Sequence, residues 1–263
     1  MGKNDIKKSD IRSYEFDHLK NHTDIFHGIF TRPGKKEFDS LATGAGAGEN
    51  SSGKKSAVEV NRKLIKKRVG RKPLIFLNQV HGTGIKVLKK DENEGSADFK
   101  PGSETYTADG IITDIKNLFT VILIADCQAV VLYDYKKRMI ANIHSGWRGS
   151  VKNIIGKCVL KMISEFACNP DNILAGISPS LGPCCSEFVN YTDEIPENLW
   201  KYKLKDRDYF DFWEMSGDQL MEAGIKKANI ENFGICTQCH MDEFYSFRGD
   251  KTTGRFAAVI AMV

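Results

Sequence analysis

Long apolar runs are missing from this sequence. The run over residues 118–125 is broken by Thr120 and the one over 256–263 has eight residues, both far short of the roughly 20 that a bilayer-spanning helix needs. The N-terminus carries lysines but no apolar h-region, and Ile6 stands where a myristoylation signal takes Ser or Thr. A cytoplasmic location without a membrane partner is therefore expected. A surplus of charge is missing too: 38 Lys and Arg against 34 Asp and Glu leave a net +4. Without a patch of its own, that balance does not imply a nucleic-acid partner. The densest basic run, 54–72, has nine Lys or Arg and one acid, and reads as the solvated face of an amphipathic helix over Val58–Val69. Histidine is sparse, with six residues and no HisXHis pair. The nucleobase-deaminase signature, HisXGlu with ProCysXXCys, is absent as well.

What is present suits a soluble globular chain. With 263 residues, 41% apolar and 27% charged, disorder, collagen and coiled coil are excluded as the main state. Neither an internal repeat nor a linker-like shift in composition divides it. Residues 1–23 are polar and poorly patterned and read as an N-terminal arm, with 24–263 as a single domain. Short β-branched runs at 74–80, 85–88, 110–113, 119–125, 129–134, 139–144 and 173–178 read as strands, with another at the C-terminus. Helical spacing covers 149–166 and 213–227. The mixture indicates an α/β domain.

Two glycine-rich patterns fail on inspection. Gly48 to Lys54 starts like a phosphate-binding loop, but Lys55 replaces the Ser or Thr that would hold magnesium. Glu49 stands where a dinucleotide fingerprint needs its third glycine.

Seven cysteines, an odd number, in a chain with no secretory leader argue for reduced, metal-bound or catalytic thiols over a disulfide framework. Cys236 and Cys239 form a CysXXCys followed by His240, a spacing that chelates zinc or cycles as a dithiol. The adjacent Cys184 and Cys185 offer poor geometry as a second pair of ligands, so these cysteines are expected to be small apolar core residues.

Three segments place a metal-ligating side chain at the end of an expected strand: NQVHG with His81, ADC with Cys127 and HSGWRG with His144. Two imidazoles and a thiolate form a zinc set that leaves the fourth tetrahedral position open. The same residues also allow two satisfied histidines beside a buried Cys, or a Cys127 nucleophile with an imidazole base. Arg148, between glycines where the chain enters a helix, combines its donors with free backbone amides as an anion site, or else serves in capping and packing.

Seven pieces in order, GIFTRPG (28–34), NQVHG (78–82), ADGIITD (108–114), ADC (125–127), HSGWRG (144–149), GISPSLGPCC (176–185) and FRGDKTTGR (247–255), closely resemble the laccase-domain family. That family is also called the multicopper polyphenol oxidase or purine nucleoside phosphorylase family. The resemblance implies a single domain of α/β/β/α layers with mixed sheets and a zinc held by His81, Cys127 and His144. It implies phosphorolysis of adenosine, inosine and methylthioadenosine, and hydrolytic deamination of adenosine. Arg148, with Arg32 and Arg248, would contact phosphate or ribose; Asn78 and Gln79 would support the ligands from behind or touch substrate. The partners expected are therefore a purine nucleoside and phosphate, with the chain a monomer or homodimer. Ala129, Ser145, Ser178 and Gly249 depart from the family's usual Pro, Ala, Gly and Arg.

Two other activities attach to the same pocket: amide hydrolysis of peptidoglycan precursors with Cys127 as nucleophile, and copper-dependent polyphenol oxidation. A full laccase cluster needs more imidazoles than remain after one site with two His and one Cys, although copper can replace zinc at such ligands. A binding protein with a vestigial triad is the non-catalytic alternative.

Overall fold

The computed structural model describes residues 12–32, 65–89 and 106–263. Among them twelve strands form two six-stranded sheets. The first sheet runs β1 (Ser13–Tyr14), β2 (Ile25–Phe30), β12 (Phe256–Met262), β7 (Phe119–Ile124), β3 (Leu74–Asn78) and β5 (Tyr106–Thr107). The second runs β11 (Ile230–Asn232), β10 (Ile173–Ile177), β8 (Gln128–Asp134), β9 (Met139–Ser145), β6 (Gly110–Thr113) and β4 (Ile85–Leu88). Both are mixed: β12 is antiparallel to its neighbours while β3 is parallel to β7, and β8 is antiparallel to β9 while β4 is parallel to β6.

The strands read as nearly unbroken apolar runs because both of their faces are buried. In β8, Ala129, Val131 and Tyr133 join Ile29, Ile122, Ala258 and Ile260 of the first sheet in the core between the sheets. Val130 and Leu132 of the same strand point the other way, onto Ile154, Ile155, Cys158 and Val159. A second outer core sets Ile65 and Val69 against Phe30, Phe119, Val121 and Val259. The result is a single α/β/β/α domain with mixed sheets, as expected. Asn142, fully buried, ties the sheets together by donating to Thr120 O (3.2 Å) and Ala258 O (3.1 Å).

Three expectations change. The helix expected over 149–166 is two: α1 (Trp147–Val151) and α2 (Ile154–Phe166). Asn153 separates them in the left-handed region (φ 53°), where an Asn side chain is tolerated, and caps α2 by accepting from Gly156 N–H. The helix expected over 213–227 is α4 (Phe212–Glu222), which follows the short α3 (Tyr191–Glu194); Asp211 caps its start, and Gly224 at φ +98° follows its end. The arm expected through residue 23 does not extend that far inward, because β1 pairs with β2 and both Phe16 and Leu19 are fully buried. The glycine-rich stretch 41–56 and most of the basic helix expected at 58–69 lie outside the described residues; within the latter, 65–68 are helical.

Candidate metal centre

The pairing of β8 with β9 builds one half of the site. Opposing Gln128 to Ser145 and Ala129 to His144 sets Cys127, just before β8, beside Gly146, just after β9. A side chain at Gly146 would bring its Cβ to 2.8 Å from His81 Cδ2 and 3.1 Å from Cys127 Sγ. Only glycine therefore lets the backbone pass this close.

The other half hangs on Asp109, fully buried ahead of β6. Its Oδ1 accepts from His144 Nδ1 (2.8 Å) and from the His81 N–H (2.9 Å), and its Oδ2 accepts from the Gly82 N–H (2.7 Å). The carboxylate thus holds His81 in the left-handed conformation it adopts (φ 58°) and leaves Nε2 of His144 free toward the site. Burial alone would raise the Asp109 pKa, but the bonds from His144, Gly82 and His81 hold it below the usual carboxylate range.

His81, Cys127 and His144 converge, their ligand atoms all within 4.8 Å of one another. The residues fit a zinc ion: bonds of about 2.0–2.1 Å to nitrogen and 2.3 Å to sulfur place tetrahedral neighbours about 3.6 Å apart, and Cys127 Sγ lies 3.8 Å from His81 Nε2. Asp109 supplies the carboxylate partner that such a histidine ligand ordinarily has. Without an ion, burial raises the Cys127 pKa, but the imidazoles of His144 and His81 outweigh it and bring the thiol to about 6. Burial lowers His144, yet the Cys127 thiolate and Asp109 raise it to about 9. His81 is exposed, Cys127 half-buried and His144 buried, so the cluster opens on the His81 side.

The other expected residues make contacts of different kinds. Exposed Arg148 stacks on Trp147, its guanidinium 4.1 Å from the ring centroid. Arg248 lies over Phe188 (5.9 Å), which meets Trp147 edge to face, and donates to Glu187 O (2.9 Å). Arg148 and Arg248 therefore flank one aromatic pair. Arg32 donates to Met241 O (3.1 Å) beside the Tyr245 ring. Gln79 pairs both ends of its amide with the Leu123 backbone (2.8 and 2.9 Å), extending the ladder between β3 and β7. Asn78 is exposed and donates to Thr107 Oγ1 (3.2 Å).

Two acids went unremarked in the sequence, Asp109 in ADG and Asp126 in ADC. Their signal was an acid set among apolar residues, where an unpaired charge is costly. Asp126, at φ 82°, accepts from Thr237 Oγ1 (2.7 Å), the Arg248 N–H (2.5 Å) and, through its carbonyl, the Leu181 N–H (2.9 Å). It gathers three distant segments onto the residue before Cys127. The cysteines expected as core fillers are not all core: Cys184 and Cys239 are exposed, and with Cys185 and Cys236 they form a second cluster.

Known proteins agree with this architecture. The chain is 28% identical to "Purine nucleoside phosphorylase YlmD" of Bacillus subtilis, over 92% of this chain and 90% of that protein. It is 29% identical to "Purine nucleoside phosphorylase YfiH" of Escherichia coli, over 86% and 88%. Among solved structures, hypothetical protein YfiH of Bacillus licheniformis superimposes with a TM-score of 0.79 at 25% identity, covering 98% of both chains. YlmD of Geobacillus stearothermophilus gives 0.76 at 25% identity, over 91% and 92%. The family model described as "Multi-copper polyphenol oxidoreductase laccase" matches residues 26–263, and the chain belongs to that family.

Proposed function

We propose that the chain is a zinc-dependent purine nucleoside phosphorylase acting on adenosine, inosine and methylthioadenosine, which also deaminates adenosine. The observation that carries this reading is the convergence of His81, Cys127 and His144 around one point, braced by Asp109, in a chain whose relatives bear the phosphorylase name.

His81, Cys127 and His144 would hold the ion; a bound zinc supplies Lewis acidity at its open fourth position. Asp109 fixes the His144 tautomer, and Gly146 keeps the approach to the ligands narrow. Arg148 is the phosphate-binding group assigned here, exposed two residues beyond Gly146 at the start of α1, where backbone amides lack helical partners. Arg248 and Arg32 are assigned to phosphate or ribose, and Asn78 to the substrate at the end of β3. Gln79 positions the His81 loop. A purine nucleoside and phosphate are the small-molecule partners in this reading, and the cytoplasm is the proposed location.

The test is phosphate-dependent release of adenine or hypoxanthine by protein purified without added metal, with metal content measured in parallel. Activity should fall with zinc content and be lost in His81→Ala and Cys127→Ala. A folded, zinc-loaded sample that releases no base would overturn the reading.

A second reading has one observation in its favour: Cys127 Sγ lies within reach of His81 Nε2, the arrangement of a cysteine nucleophile with its base. A cysteine amidase acting on a peptidoglycan precursor would be active without metal and inactivated by thiol alkylation. Copper in place of zinc, with oxidation of phenols, would instead follow copper content.

A further inference from the structure

Outside the first cluster, four cysteines meet at the junction of two loops. Cys184 and Cys185 lie in the loop after β10, Cys236 and Cys239 in the loop after β11, and their sulfurs all fall within 4.8 Å of one another. We propose that these four thiols form a second metal site, a tetrathiolate that takes a soft divalent cation, zinc foremost, with a structural role.

The spacing suits an ion and not a disulfide. Cys239 Sγ is 3.6 Å from both Cys184 Sγ and Cys185 Sγ. A tetrahedral zinc with bonds of about 2.3 Å sets neighbouring sulfurs about 3.8 Å apart, whereas a disulfide needs about 2.05 Å. The local backbone is shaped for thiolate: Gly182 N–H donates to Cys236 Sγ (3.3 Å). His240 does not belong to the set; its Nδ1 bonds to the Cys236 carbonyl (3.0 Å). The neighbouring CysCys pair contributes both sulfurs because the chain turns there, with Cys185 N–H donating to Gly182 O (2.9 Å). Gly182 is required for this approach: a Cβ there would stand 2.7 Å from the Trp213 ring and 3.1 Å from Cys236 Cβ. Cys184 and Cys239 are exposed, giving the ion a way in. Binding releases the thiol protons to solvent.

Both loops also hold Asp126, through the Leu181 N–H and the Thr237 hydroxyl. An ion here would therefore staple together the loops that position the residue preceding Cys127, without touching substrate.

The test uses the full chain purified under reductant and compares wild type, His81→Ala/His144→Ala and Cys184→Ser/Cys239→Ser. The histidine variant should keep about one zinc per chain and, on cobalt substitution, show the strong sulfur-to-cobalt charge-transfer absorption of a tetrathiolate site. The cysteine variant should lose that ion. Should either variant fail to fold, alkylation of wild type mapped by residue decides: all four cysteines should resist reagent until a chelator is added, although two of them are exposed. Rapid labelling of Cys184 and Cys239 in zinc-replete protein would overturn the proposal. So would a histidine variant without zinc, or a disulfide among these cysteines in protein kept under reductant.

Discussion

Replacing Asp109 by Asn tests whether this carboxylate is the brace of the first proposed metal centre. Its oxygens accept from His144 Nδ1 at 2.8 Å, the His81 N–H at 2.9 Å and the Gly82 N–H at 2.7 Å. An amide keeps one acceptor and turns an NH2 group toward the donors at the other, so at least one buried donor loses its partner. Hydrogen bonds to a charged acceptor are worth about 1.5–3 kcal/mol, with a comparable desolvation penalty for an orphaned donor. A loss of about 2–4 kcal/mol is expected, which at about 2–4 °C per kcal/mol lowers Tm by roughly 4–16 °C. Loss of the carboxylate behind a histidine ligand weakens zinc by about 10–100-fold, read by competition with a chromogenic chelator. The sign with pH is fixed. Because the folded pKa of Asp109 is depressed, its contribution is present above the unfolded carboxylate value of about 4 and is lost as pH falls through the lower folded value. The gap in Tm between wild type and Asp109→Asn should accordingly close in strong acid. An unchanged zinc affinity together with an unchanged Tm at neutral pH would refute this account of Asp109.

Three other outcomes follow from the same geometry. Gly146→Ala forces a methyl to 2.8 Å from His81 Cδ2; overpacking of this kind costs about 1–3 kcal/mol, and the variant should fold yet bind zinc at least about tenfold more weakly by titration. In metal-free protein, alkylation of Cys127 should rise around pH 6, its depressed folded pKa, because the thiolate is populated above that value. His144→Ala should shift that profile upward, as followed by iodoacetamide kinetics. Phe16→Ala removes a fully buried ring that packs on Phe233 (centroids 4.5 Å) and against Gly176; a destabilisation of about 3–5 kcal/mol by chemical denaturation is expected, whereas a dispensable arm would give none.

The strands of the centre were legible because double-sided burial writes them as compact β-branched runs: β4 and β6 coincide with the expected segments, and β8 and β9 differ by a residue at one end. The breaks were harder to read. Apolar spacing carries across Asn153 without interruption, while the left-handed turn there depends on one residue's backbone. β2 runs into GIFTRPG, which covers its last three residues and reads as a motif, and its place beside β12 is a pairing between distant segments that local patterning does not encode. His81, Cys127 and His144 could be nominated from residue type and position at strand ends. Their brace could not, since Asp109 acts through backbone donors 27 and 28 residues away. The thiol cluster was obscured for a similar reason: neighbouring Cys184 and Cys185 look incompatible as joint ligands until the turn at Gly182 folds them against Cys236 and Cys239.

The position of β12 bears on how the protein is made. Among the described strands it comes last in sequence order, yet it lies inside the first sheet, with β2 on one side and β7 on the other. Until it emerges from the ribosome, β2 and β7 face a gap, each showing a row of unpaired amides and carbonyls of the kind that recruits foreign strands. A chain interrupted before Phe256 would keep both of these edges bare and open to pairing with strands of other molecules.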